Sequence, residues 1–184
     1  SAASDVYKRQ TLTGVDTEDI VAGLLQPNST TVDGGFNSAA YLVNSNADND
    51  VTNDHYVDDQ STIWTAGSKN SKGRVESIER GGHLQGLFAE SPGYVNYELN
   101  LLANSELTGI TGTSDGQYVA VGHIFGSSEY DAVIVKFDKS GLLDTNFDSD
   151  GIVYIGVDDN KDNVLNDVAL DASGNIIVVG EENH

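Results

Sequence analysis

Short apolar runs closed by glycine punctuate the chain at Thr11–Gly14, Ile63–Gly67, Tyr118–Gly122 and Ile176–Gly180. Their glycines lie 53, 55 and 58 residues apart. A second marker keeps step with the first: VDGGF ending at Phe36, LQGLF ending at Phe88 and LDTNF ending at Phe147, with the phenylalanines 52 and 59 residues apart. Two independent markers sharing one period read as an internal repeat, and a repeat protein interpreted as one globular domain is misread throughout.

Within a period the apolar pattern predicts four short strands. In the clearest copy the first is Gly151–Ile155 and the second is Val164–Asp171, where Leu165, Val168 and Leu170 stand among polar neighbours. The turn Ala172-Ser173-Gly174-Asn175 leads to the third, Ile176–Val179, and the fourth appears one period earlier as Asp131–Asp138. Ser-Gly and Ser-Asp-Gly turns supply residues that tolerate positive φ where strands reverse. The third strand is continuously apolar, which in so short a run predicts burial on both faces. No capped pattern of period 3.6 lasts three turns. Ser91–Leu107 comes nearest, but Pro92-Gly93 and the alternation at Tyr94-Val95-Asn96-Tyr97 favour a strand.

Four antiparallel strands in roughly 40 to 60 residues match the arithmetic of a β-propeller blade. The expected fold is therefore all-β: a partial β-propeller of about three four-stranded antiparallel blades over residues 11–184, with periods near 14–66, 67–121 and 122–179. A β-sandwich is the competing architecture, but its strands need no such period. A single blade cannot bury both faces of its sheet, so terminal blades are expected to make the isolated chain associate.

The residues Ser140-Gly141-Leu142-Leu143-Asp144-Thr145-Asn146-Phe147, Asp150-Gly151 and Asn166 to Gly180 (NDVALDASGNIIVVG) resemble the delta-60 repeat. In that bacterial family of propeller-like repeats, a GxLDxxF element, a DG pair and a DGxIxVxG strand recur. The resemblance is close over Leu107–Gly180 and weak over Thr11–Ala103, where Gln85 replaces the motif aspartate and Asp58-Asp59-Gln60-Ser61 replaces the DG turn. It implies extracytoplasmic, multi-repeat proteins and no catalytic residues.

Composition narrows the function classes. The formal charge is −20, with 29 acidic against 9 basic residues, which disfavours nucleic acid and anionic membranes as partners. Cysteine is absent, removing disulfides and thiolate metal sites. No apolar run approaches the ~18 residues of a membrane span, so membrane insertion is not expected. Residues 1–10, SAASDVYKRQ, resemble a translated sequencing-library adapter and are set aside as a non-native scar; both ends read as truncations of a longer chain, whose remaining blades are expected partners. High acidity without cysteine fits an extracellular or cell-surface protein, or a periplasmic one.

Residues repeated in every copy most economically serve the blade itself: Gly67, Gly122 and Gly180 as strand ends, Phe36, Phe88 and Phe147 as packing between sheets. Function is then expected in the unrepeated loops. The acidic loops Asn46–Asp50 and Asp158–Asp162 place carboxylates and amides at alternate positions, making Asp158, Asn160 and Asp162 candidate calcium ligands. Neither loop completes an EF-hand, since Asn163 and Val51 stand where glycine is required and Ala169 and Val57 where the bidentate glutamate is required. Beyond calcium, no cofactor is expected.

His55, His83, His123 and His184 share no zinc spacing, and Trp64 reads as core rather than a sugar platform. The sequon at Asn28 is of a kind common by chance. No carboxylate pair is singled out for glycoside hydrolysis, no GxSxG motif occurs, and Gly109–Gly112 precedes a strand, so it forms no phosphate-binding helix start. The function expected is a non-enzymatic scaffold binding a protein or carbohydrate ligand. A propeller hydrolase or lyase and an adhesin spacer are the alternatives.

Overall fold

The structure is a computed structural model that describes residues 20–23, 41–44, 50–78, 94–96, 104–126, 128–156 and 160–183. Among these residues every regular element is a β-strand, and no helix is long and apolar enough to cross a membrane. The strands are β1 (Ile20–Gly23), β2 (Tyr41–Asn44), β3 (Asp50–Val57), β4 (Ile63–Lys69), β5 (Lys72–Ile78), β6 (Tyr94–Asn96), β7 (Ser105–Gly112), β8 (Tyr118–Phe125), β9 (Tyr130–Phe137), β10 (Ile152–Ile155), β11 (Asp162–Leu170) and β12 (Ile176–Asn183).

They form two four-stranded antiparallel sheets, β3-β4-β5-β6 and β7-β8-β9-β10, and two two-stranded ones, β1-β2 and β11-β12. The strands expected in the clearest copy are all present, with β12 running on to Asn183. Tyr94–Asn96 is a strand, as its alternation requires. A hydrogen-bonded sheet joins the second, third and fourth strands of one period to the first of the next, so one complete sheet runs from Ser105 to Ile155.

Among the described residues the same turn geometry occurs four times. Asp58 Oδ1 accepts from the N–H groups of Gln60 and Thr62, at 3.0 and 2.8 Å. Asp138 does the same for Ser140 and Leu142, and Asp171 for Ser173 and Asn175. At the β7–β8 turn Thr113 Oγ1 takes the place of the carboxylate, accepting from Gln117 N–H at 2.9 Å. Gly116, Gly141 and Gly174 carry the left-handed φ in three of these turns, and Ser61 carries it, at 65°, in the fourth. The missing DG signal at Asp58-Asp59-Gln60-Ser61 therefore hides an equivalent turn, because the aspartate cage holds a serine where glycine is cheaper.

The period glycines do not end strands, contrary to expectation. Gly67, Gly122 and Gly180 sit inside β4, β8 and β12, each beside a bulge in the preceding strand: between Thr52 and Asp54, Leu107 and Gly109, and Leu165 and Asp167. A Cβ at these positions would stand 1.8, 2.0 and 2.0 Å from the carbonyl oxygens of Val51, Glu106 and Val164. Glycine recurs here because the bulge brings one backbone onto another.

Sheets stack face to face through two cores. The first joins the two four-stranded sheets through Trp64, Ala66 and Val75 on one side and Leu107, Ile110, Tyr118, Ala120, Val133, Val135 and Phe137 on the other. Trp64 and Tyr118 lie 3.9 Å apart between ring centroids, so Trp64 is core as expected. Trp64 Nε1–H and Tyr118 O–H both donate to Asp58 Oδ2, at 2.9 and 3.0 Å, satisfying their buried polar tips. Burial and this carboxylate push the Tyr118 phenol well above its ordinary range. The second core joins Val119, Val121, Ala132 and Ile134 to Leu165 and Val168, with Phe147 packed against it as an inter-sheet residue. Phe36 and Phe88 lie outside the described residues.

Candidate functional site

What repeats in all sheets is explained by folding, so candidate chemistry is sought where one copy departs from the others. The clearest departure lies at the rim formed by the start of β7, the end of β8, the start of β9 and the start of β11. Glu106 and His123 face each other across the β7–β8 ladder, one residue beyond the bulge and its glycine. Their counterparts next to Gly67 are Val51 and Ser68, and next to Gly180 they are Val164 and Glu181. Among the described residues, His123 and Glu106 are thus a pairing found in one copy alone.

The rim is held from several directions. Asn53 Nδ2 donates to Glu106 Oε1 at 2.7 Å, tying the carboxylate to the preceding sheet. The His123 ring stands edge-on to Tyr130 at 5.0 Å and 89°, and Phe125 meets the same tyrosine at 5.0 Å. Tyr130 N–H donates to Asp162 Oδ1 at 3.0 Å, which anchors the start of β11. Lys161 Nζ pairs with Glu182 at 2.6 Å on the exposed β11–β12 hairpin. Burial lowers the His123 pKa, outweighing the opposing pull of Glu106, so the imidazole is neutral at pH 7. The result is an exposed aromatic edge beside a neutral imidazole and two carboxylates. Such a surface can accept and donate hydrogen bonds.

Of the candidate calcium ligands, Asp158 lies outside the described residues. Asn160 is exposed with φ of 60°, and Asp162 is half-buried with one oxygen committed to Tyr130. Among the described residues no group of three His, Asp or Glu side chains is arranged to hold a metal ion. His55 and His123 lie on different sheets; His83 and His184 fall outside the described residues, as do Asn28, Asn46–Asn49 and Gly14.

A second departure was not anticipated from sequence. Arg74 and Glu76, both buried on β5, form an ion pair where the equivalent positions of β9 hold Val133 and Val135. The alternation Arg-Val-Glu reads as an ordinary solvated strand face. The available signal was the comparison with Val133-Ile134-Val135 in the next copy, where the same positions are apolar. Compared with known proteins, the chain matches no family model and no curated protein.

Proposed function

We propose that this chain is a stack of propeller-like repeats of the delta-60 kind from a secreted or cell-surface bacterial protein, acting as a non-enzymatic recognition scaffold. The observation that carries the reading is the division of labour along the chain. Turn and bulge geometry recur from copy to copy, while among the described residues the grouping of Glu106, His123, Tyr130 and Asp162, which joins aromatic and ionisable side chains on a single rim, has no counterpart in the neighbouring copies. A rigid scaffold presenting variable rim residues is the usual arrangement for recognition. The ligand chemistry that fits is a polar protein or carbohydrate surface offering hydroxyl or amide groups to the carboxylates and an apolar patch to Tyr130.

The test is binding of the intact chain to arrays of glycans and extracellular proteins, repeated with Tyr130→Ala and His123→Ala. Saturable binding weakened by both substitutions supports the reading. Turnover of a glycan or ester substrate, lost with the same substitutions, would replace it with the hydrolase or lyase alternative.

A further inference from the structure

The face of β12 turned away from the second core is apolar and exposed: Ile177 is 49 % and Val179 56 % accessible. The same two positions relative to the glycine are filled by Val119 and Val121 on β8, both 0 % accessible, and by Trp64 and Ala66 on β4, at 1 and 0 %. In each of those copies the cover is the leading strand of the following sheet. β7 covers β4 with Leu107 and Ile110, and β11 covers β8 with Leu165 and Val168. Three residues apart, the members of each pair would ordinarily face opposite ways along a strand; the intervening bulge turns both to the same side.

Polar groups at the bulge fix the approach. In the first sheet the dipeptide Asn53-Asp54 grips the incoming strand at two points. Asn53 Nδ2 donates to Leu107 O at 2.8 Å, and Asp54 Oδ2 accepts from Ile110 N–H at 2.9 Å. In the second sheet Thr108 Oγ1 donates to Leu165 O at 2.5 Å, the counterpart of the first contact. Gly109 offers no carboxylate for the second, and Val168 N–H is met by its own neighbour Asp167 at 2.7 Å. At the same bulge of the last sheet the dipeptide returns as Asn166-Asp167, with both side chains exposed. A carboxylate accepts at both oxygens, so the Val168 contact leaves Asp167 able to take another donor.

We propose that Asn166, Asp167, Ile177 and Val179 form a docking site for a further β-sheet of this repeat type, led by a bulged strand with apolar residues three apart. The occupant is read directly from the two filled copies of the same face. A second copy of this chain is a poor match, because its β7 and β11 are already packed and β3 offers Thr52 and His55 at the corresponding positions. This inference rests on the stacked-repeat reading and gives it a specific contact.

The test uses the intact chain and a fluorescein-labelled peptide spanning residues 104–126, which carries Leu107 and Ile110. Anisotropy is measured at ~0.15 M salt or above, where repulsion between two acidic partners is screened. Saturable binding is expected, abolished by Val179→Asp and by a peptide with Leu107→Asp and Ile110→Asp. Asn166→Ala and Asp167→Asn should each weaken it about fivefold, the typical weight of one hydrogen bond. Val179→Thr serves if the aspartate variant does not fold. Absence of saturable binding, or binding indifferent to Val179, overturns the proposal. So does a dimer of the chain alone, seen by sedimentation velocity, that Val179→Asp dissociates and the peptide does not displace. The stacked-repeat reading fails separately, if Asn53→Ala leaves the stability of the chain unchanged.

Discussion

Strands β8 and β12 occupy the same place in successive copies, and β12 is at least as apolar: Ile176-Ile177-Val178-Val179 against Tyr118-Val119-Ala120-Val121. Yet β8 is buried on both faces and most of β12 is exposed. The difference lies in the neighbours, since β8 lies between β7 and β9 in its sheet and is covered by β11. Among the described residues β12 pairs with β11 alone. Burial in a stacked-sheet protein belongs to a position in the stack rather than to the strand that occupies it.

The sharpest way to break that comparison is at the glycines. Gly122→Ala and Gly180→Ala put the same methyl 2.0 Å from a carbonyl oxygen. Gly122→Ala should cost about 3 kcal/mol in chemical denaturation, because the β7–β8 pair is clamped between two cores. Gly180→Ala should instead raise amide exchange in β11 and β12 while leaving β7–β9 protected, since a hairpin at the edge of the stack can splay. Equal global losses would mean that the last hairpin is as firmly held as the middle sheet.

Truncating the facing valines comes next. Val121→Ala removes buried methyl groups and should destabilise by about 2 kcal/mol. Val179→Ala should stay within about 0.5 kcal/mol, as exposed substitutions do. The bulge contacts should follow the same order at smaller scale: Asn53→Ala should cost about 1 kcal/mol for its bonds to Leu107 and Glu106, whereas Asn166→Ala in the isolated chain should be nearly silent. Thermal or denaturant melts of the four variants measure both contrasts.

The smallest expected effect is a pH dependence carried by His123, which exists in the middle copy alone. Its folded pKa is lowered by burial against the opposing pull of Glu106, so the unfolded chain takes up the proton first. Stability from this group is present above the unfolded value near 6.5 and is lost as the pH falls below it. His123→Gln should flatten that slope just below pH 6.5. The carboxylates of Asp115, Asp138, Asp144 and Asp171, whose pKa values are lowered chiefly by hydrogen bonds to neighbouring side chains and backbone N–H groups, should produce a separate loss at more acid pH that the substitution leaves unchanged.

Much of the backbone was legible because its signals are local. Alternation and Ser-Gly turns located the strands of the clearest copy to within about two residues at each end, except that β12 runs on past Val179 to Asn183. The β3–β4 turn escaped the motif because Ser61 replaces glycine while the Asp58 cage keeps the geometry. The period glycines were found but misassigned, since a bulge pairs residues about fifteen positions apart and leaves no mark in either strand alone. The rim was barely legible. Glu106 lay in the stretch Ser91–Leu107 with no motif to single it out, and a rim running from Glu106 through His123 and Tyr130 to Asp162 requires strands from two sheets.

By itself, the sequence determined an all-β chain of repeated antiparallel strands, the turn chemistry and the residues that recur. Those follow from periodicity and from which side chains tolerate reversal of the chain. Only the tertiary structure decided which strands share a sheet, why glycine must face each bulge, and which apolar strand lies buried. Each of these depends on the backbone or side chain opposite, and a one-dimensional pattern does not carry that neighbour.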